Sequence, residues 1–347
     1  MRIGTKLITD FIINNVELHP MDIAGFTARH FGITPQAVLL HIKKMVSDGV
    51  LITAGQTRAR RYRLKDTRYV YKYKIADGLS EDRVWVQDIS KHFAKFSANV
   101  RHIWDYAFSE IFNNAIEHSH GTEIKVAISQ NAISTSMLIL DNGIGIFKNI
   151  QNKFGLLNEH EAILELSKGK LTTDKKNHSG QGIFFTSRAV DRFVIESYGI
   201  LFVHDTRMGK KPDILFDSMD GAPNHNGTAV FMCLNNTSKN ILLKVFDDYT
   251  VDDYGFDKTV IPIELAQYGD DFLVSRSQAR RVLSRVQLFK HVIFDFANVP
   301  QIGQAFADEI FRVFANAHPN IKIQYVNANK EVESMILRAK TSNIGEI

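Results

Sequence analysis

Three short stretches between Trp104 and Ile183 constrain this chain more than any other feature. The first is Ser109-Glu110-Ile111-Phe112-Asn113-Asn114-Ala115-Ile116-Glu117-His118, the second Asp141-Asn142-Gly143-Ile144-Gly145, and the third His178-Ser179-Gly180-Gln181-Gly182-Ile183. Phe108, Ile111, Phe112 and Ala115 recur at helical spacing, which predicts a helix with Glu110 and Asn114 on one face. The Asn114 amide oxygen can ligate Mg²⁺, an ion that takes few protein ligands and keeps waters and phosphate oxygens. The Glu110 carboxylate can take a proton from an attacking water or hydroxyl. Asp141 follows a strand-like run, residues 135–140, and opens a Gly-x-Gly turn. A carboxylate there can accept a hydrogen bond from an exocyclic amine, and the glycines let a flat ring approach the backbone. Gly180-Gln181-Gly182 precedes an apolar, helix-like run over 183–194, and glycines at a helix start offer N–H groups to phosphate. Taken singly, each stretch has a plainer reading: a solvated helix face, an Asp-Asn-Gly turn, a glycine loop.

Together and in this order they resemble the nucleotide-binding domain of the GHKL superfamily, which includes gyrase, the heat-shock chaperone of that fold, histidine kinases and MutL. The N-box E-x-x-x-N-A is matched by Glu110, Asn114 and Ala115, and D-x-G-x-G by Asp141, Gly143 and Gly145. The second glycine box is matched by Gly180, Gly182 and Ile183, and the closing Gly-Thr by Gly227-Thr228, ahead of a strand-like run. The resemblance covers about residues 75–240. It implies an α+β sandwich that binds ATP with Mg²⁺. Glu110 would orient or deprotonate water, Asn114 hold Mg²⁺ and Asp141 read adenine; Gly143, Gly145, Gly180, Gln181, Gly182 and Thr228 would bound the nucleotide. The basic stretch 167–178 resembles the family's mobile lid, in which Lys176 and His178 stand nearest the phosphates while Lys170 and Lys175 read as solvated. His118 matches a position often occupied by His in histidine kinases. It reads equally as a phosphate contact or as a cation at a helix C-terminus.

The formal net charge of +4 is unevenly spread: residues 1–65 carry ten Lys and Arg against four Asp and Glu. Such asymmetry points to a nucleic-acid-binding end. Apolar spacing predicts helices over 3–15, 21–31 and 35–48, the last with Thr34 as N-cap and Pro35 in its first turn. Short strands are expected over 50–53 and 60–64. Three helices followed by a basic hairpin, residues 1–66, resemble the winged helix-turn-helix of bacterial regulators. The resemblance implies binding to double-stranded DNA. Thr34, Gln36 and His41 would reach base edges in the major groove, Lys44 would also contact DNA, and Arg58, Arg60, Arg61 and Arg63 on the wing would neutralise phosphates. A protein-contacting winged helix and a merely solvated basic face stay open.

Residues 66–78 alternate as a strand, 207–226 read as a surface excursion, and 235–257 as a polar, acidic link. Beyond them, strands expected at 258–263, 272–274, 291–296 and 321–326 alternate with helices at 275–286, 303–315 and 331–340, implying an α/β layer. Val292-Ile293-Phe294-Asp295-Phe296-Ala297-Asn298-Val299 resembles the central strand of STAS domains, the fold of anti-sigma-factor antagonists. A STAS-like domain is therefore expected over 258–345. In those antagonists a Ser after this strand accepts a phosphoryl group from a GHKL-type kinase. Ala305 stands near that place and has no hydroxyl, which favours a docking or sensing module for a protein partner.

The expected whole is an α/β multidomain chain acting in the cytoplasm as an ATP-dependent, DNA-binding transcriptional regulator. Two alternatives are a serine/threonine protein kinase of the anti-sigma type and a non-catalytic ATP-sensing scaffold. A sensor histidine kinase is disfavoured, since no H-[ED]-x-x-[TN]-P phosphoacceptor precedes the N-box and His92 is followed by Phe93-Ala94. A gyrase or MutL role is disfavoured because no transducer domain of their kind follows Gly227. The single cysteine, Cys233, cannot form an internal disulfide and fits a reducing compartment. No run approaches eighteen apolar residues, so no membrane span is expected. A homodimer is compatible with the sequence.

Overall fold

The structure, a computed structural model, describes residues 4–171, 180–208, 213–216, 226–251, 255–267 and 272–341. The chain divides into two compact units, one of Met1–Tyr71, Val126–Met137 and Cys233–Ser238, the other of the remaining residues.

The first unit opens with α1 (Thr5–Asn15), α2 (Ile23–Phe31) and α3 (Pro35–Ser47). Gly32, at φ +65°, ends α2 in the left-handed conformation that glycine adopts without strain. Thr34 starts α3: its hydroxyl oxygen accepts from the Ala37 N–H at 3.3 Å, and Pro35 occupies the first turn. The hairpin β1 (Leu51–Ala54) and β2 (Arg61–Leu64) is antiparallel, with Leu51 opposite Leu64. The other edge of β2 is also engaged, as the Leu64 N–H donates to Glu17 at 2.7 Å and the Tyr62 N–H to the Pro20 carbonyl at 2.8 Å. Ile8, Ile12, Val38, Ile42, Leu51 and Leu64 form the core of this unit, and Ile133 packs against it.

A seven-stranded sheet comprises β3 (Thr67–Lys74), β4 (Glu123–Gln130), β5 (Ser134–Asp141), β6 (Arg192–Ser197), β7 (Ile200–Asp205), β8 (Asp213–Phe216) and β9 (Ala229–Asn235). Its order is β3-β4-β5-β9-β6-β7-β8. Strict alternation of buried and more exposed residues along β5, β6 and β9 marks one packed face. The helices of the second unit are α4 (Glu81–Val84), α5 (Ala98–His118), α6 (Ile146–Phe154), α7 (Glu159–Lys168), α8 (Gly182–Ala189) and α9 (Leu242–Asp247). Trp104, Phe108, Ile111 and Phe112 bury one side of α5.

Two expectations are corrected here. The supposed surface excursion contains β8, which pairs antiparallel with β7 through Leu201–Phe216 to His204–Asp213. Its polar composition hid a buried ion pair, His204 Nδ1 to Asp213 Oδ1 at 2.6 Å. The supposed link at 235–257 contains α9, and its Phe246, Tyr249 and Phe256 pack on Phe184 and Phe185.

The rest of this unit adds a parallel sheet, β10 (Lys258–Pro262), β11 (His291–Asp295) and β12 (Lys322–Val326), in sequence order. With it go α10 (Arg276–Leu283), α11 (Gln304–Asp308), α12 (Ala315–Ala317) and α13 (Lys330–Thr341), α11 running into α12 through a π-helical stretch. Ser275 and Gln278 form a capping box at the start of α10. Residues 272–274 are not a strand; Leu273 makes only an isolated bridge to Ile302. Among the described residues no helix is long and apolar enough to cross a membrane.

Ile42 is fully buried. Replacing it with Ala is expected to cost about 2–5 kcal/mol through lost burial and the cavity left behind. Faster hydrogen exchange at the amides of α1, α3, Tyr62 and Leu64 measures that loss; unchanged exchange would show that these elements do not share a core.

Candidate functional site

A cavity of about 290 Å³ opens between α5, α6, α8 and the ends of β5 and β9. Among the residues singled out from sequence, Glu110, Asn114, Ala115, Asp141, Gly180, Gly182, Ile183 and Thr228 line it. Helix geometry explains the first two. The aromatic side of α5 is buried, which leaves Glu110, Asn114 and His118, spaced four apart, as a half-buried stripe.

Asp141 is the last residue of β5 and only 9% exposed. Its Oδ1 accepts the Gly143 N–H at 2.9 Å and the Thr228 N–H at 3.2 Å, while its own N–H donates to the Thr228 carbonyl at 3.0 Å. The Thr228 hydroxyl oxygen accepts the Ile146 N–H at 3.0 Å, which ties the start of α6 to the same joint. The joint tolerates no Cβ at Gly143, which would strike the Ser119 carbonyl, nor at Gly227, which would strike the Asp141 carbonyl. Gly145 sits at φ +84°, and a Cβ on it would fall 2.5 Å from Ser197 Oγ. Gly143 and Gly145 thus build the turn behind the cavity and are not among the residues that line it. Gln181 is likewise no lining residue; it precedes the first turn of α8, and its carbonyl accepts the Phe185 N–H at 3.0 Å.

Gly182 meets a side chain rather than a backbone. A Cβ there would collide with Glu110 Oε2, so the missing side chain leaves room for the carboxylate. The Glu110 charge also reaches Tyr106. Burial first, and that negative charge second, push the Tyr106 hydroxyl far above its ordinary pKa and keep it protonated.

Sequence reading missed the contribution of α6. Ile146, Asn149, Ile150, Lys153 and Phe154 all line the cavity. Their spacing of 0, 3, 4, 7 and 8 is one helix face, a signal that was present in the sequence. Asn149 Nδ2 donates to the His118 carbonyl at 2.8 Å and joins α6 to the end of α5. His118 also lines the cavity, with Nε2 3.8 Å from the Glu117 carboxylate.

Lys176 and His178 lie outside the described residues. Lys170 departs from the solvated lysine expected. Its ammonium donates to the Leu288 carbonyl at 2.8 Å, pairs with Asp257 at 3.4 Å and lies 4.9 Å from the Phe289 ring centre. The residues that hold it come from about 90–120 positions further along the chain, beyond the reach of local pattern.

In the first unit, Gln36, Lys44, Arg60 and Arg61 are exposed, and Thr34 serves as the α3 cap. Gln36, Leu40, Lys43 and Lys44 share one face of α3, with Leu40 68% exposed among them. His41 is half-buried and lies about 140° round the helix from Gln36. The Arg58 side chain is outside what the structure describes.

A family model described as a STAS-like domain of unknown function (DUF4325) matches residues 278–333, from within α10 into α13. The match supports a STAS-like stretch within the expected 258–345. A comparison with curated proteins finds no match.

Gly182→Ala is expected to push the Glu110 carboxylate aside and to destabilise the chain by no more than about 1 kcal/mol, because the contact falls on the end of a flexible side chain. In a Glu110→Ala background the same change should become neutral or stabilising, because Ala outranks Gly in a helix. A double-mutant cycle on chemical unfolding reads the coupling; additivity would mean that the two residues do not meet.

Proposed function

We propose that this chain is an ATP-binding, ATP-hydrolysing regulator that binds double-stranded DNA through its basic N-terminal helices and hairpin. The observation that carries the reading is the convergence of Glu110, Asn114, Asp141, Gly180, Gly182 and Thr228 on one cavity, since those residues come from four separated sequence boxes. In this reading the buried Asp141 carboxyl accepts a hydrogen bond from the adenine amine. Gly180 and Gly182, at the start of α8, offer their N–H groups to phosphate. Lys153 adds a cation to the same wall.

Among the described residues no group of three or more His, Cys, Asp or Glu is placed to hold a metal. Mg²⁺ at nucleotide sites needs only one or two protein oxygens beside phosphates and waters, and the Asn114 side chain on the cavity wall carries one. The Asn114 amide oxygen is the residue that would hold it, and the bound ion would neutralise phosphate charge. Glu110 would orient the attacking water and take its proton.

ATP would act on DNA binding only through its differential affinity for two arrangements of the chain. The exposed Gln36, Lys43 and Lys44 on α3 suit a major groove, and Arg60 and Arg61 suit phosphates. The STAS-like stretch lends support to a second reading, a protein kinase in which Glu110 activates a partner's Ser or Thr hydroxyl. Ala305, without a hydroxyl, leaves no acceptor at the corresponding place within the chain itself.

Radiolabelled ATP separates the two: free phosphate marks the hydrolase, labelled protein the kinase. Glu110→Ala is expected to bind ATP and lose turnover by about 10²-fold or more, whereas Asp141→Ala should weaken ATP binding about tenfold or more by removing a buried acceptor. Equal ATP affinity in wild type and Asp141→Ala would overturn the adenine assignment. On DNA, replacing Arg60 and Arg61 by Ala should lower the slope of log affinity against log salt by about 2. Wild-type protein without salt-dependent DNA binding would leave a protein-contacting role for this unit.

A further inference from the structure

Helix α7 ends just before Leu171, which lines the cavity with Leu166, and the STAS-like stretch grips the helix along its length. Lys168 is only 1% exposed. Its ammonium meets Glu165 at 2.6 Å, the Ser284 carbonyl at 2.9 Å and the Arg281 carbonyl at 3.2 Å. The three donors of a lysine are thereby used, two of them on carbonyls at the C-terminus of α10, where a cation is favoured. The Lys168 carbonyl in turn accepts from the buried Thr259 hydroxyl at 2.7 Å. Arg281 pairs with Glu161 at 3.1 Å and Arg285 with Glu165 at 3.5 Å. Burial draws Lys168 below the ordinary lysine pKa against the opposing pull of Glu165.

Arg285 goes further. One guanidinium nitrogen donates to the Lys170 carbonyl, and the group lies 5.0 Å from the centre of the Phe154 ring. Phe154 lines the cavity, as do Leu166 and Leu171 on either side of Lys170 and α7's end, whereas Arg285 does not. Its backbone sits at φ +62°, in the left-handed region. That conformation is costly for any residue with a long side chain and free for glycine. From there the Arg285 side chain reaches Glu165 on α7, the Lys170 carbonyl just beyond it and the Phe154 ring.

We propose that Arg285, supplied by the STAS-like stretch, is a positioning residue for the nucleotide cavity. It sets where the Phe154 wall and the backbone at Lys170, just beyond α7, stand, and ATP affinity depends on it although it does not face the cavity. The proposal rests on the ATP-binding reading above and adds to it that the STAS-like stretch completes the pocket from outside. Its guanidinium matters as a planar fork that can hold a carboxylate, a carbonyl and a ring face at once, which a lysine ammonium cannot reproduce.

The test compares wild type, Arg285→Gly, Arg285→Ala and Arg285→Lys in the full chain with Mg²⁺ and a fluorescent ATP analogue. Arg285→Gly relieves the backbone conformation, so its thermal midpoint should stay at or above that of Arg285→Ala. All three variants should bind the analogue about tenfold more weakly or worse, with Arg285→Lys the least affected, while kcat at saturation stays within about twofold of wild type. Glu110→Ala should show the opposite split. Hydrogen exchange without nucleotide should accelerate at the amides of 166–171 in each variant. Wild-type affinity in Arg285→Gly, or unchanged exchange over 166–171, would overturn the proposal. Should the wild-type chain bind no adenine nucleotide, the ATP reading falls by itself, and the exchange rates alone then decide whether Arg285 holds the wall.

Discussion

The candidate site depends on one buried joint, the pairing of Asp141 with Thr228. A single carboxylate oxygen takes two backbone N–H groups there, and the two backbones exchange a further bond at 3.0 Å. A buried carboxylate is costly unless its lone pairs are met, and backbone donors meet them in a way no side-chain rotation can undo. The joint fixes the end of β5 against the start of β9, aims the Asp141 carboxyl at the cavity and delivers the chain into α6. Gly143 and Gly227 serve it by leaving room where two backbones nearly touch. What reads in sequence as a glycine-rich loop is therefore a packing requirement behind the site.

A second constraint acts on the opposite wall. A lysine as buried as Lys168 stands only when its charge is paired and its donors are used. Both conditions are met by a carboxylate one turn away and by the end of α10. The α7 segment is thus held from two sides, by the cavity-lining residues within and by the STAS-like stretch outside. A pocket with one wall built this way cannot be shaped independently of the elements that grip it.

Much of this was legible because local chemistry and periodicity agree. The Thr34-Pro35 start of α3, the helical stripe of Glu110 and Asn114 and the strand at 291–295 follow from capping and spacing. Where reading failed, polar composition concealed burial. The segment holding β8 looked like solvated loop, yet His204 and Asp213 satisfy each other in the interior. The link after β9 looked acidic, yet Phe246, Tyr249 and Phe256 carry its packing. Lys170 looked solvated because its partners, Asp257 and Leu288, are distant in the chain.

The sequence by itself determined which residues could do chemistry and which elements would carry them, since helix faces, caps and glycine turns are set within a few neighbouring residues. Only the tertiary structure decided which of those residues share a cavity: Glu110, Asn114, Asp141 and Thr228 do, while Gly143 and Gly145 stand behind it. The same holds for the α6 face that completes the wall and for Arg285 beside Phe154. The physical reason is that burial, close backbone approach and the pairing of charges are properties of segments far apart in the chain, and no local pattern records them.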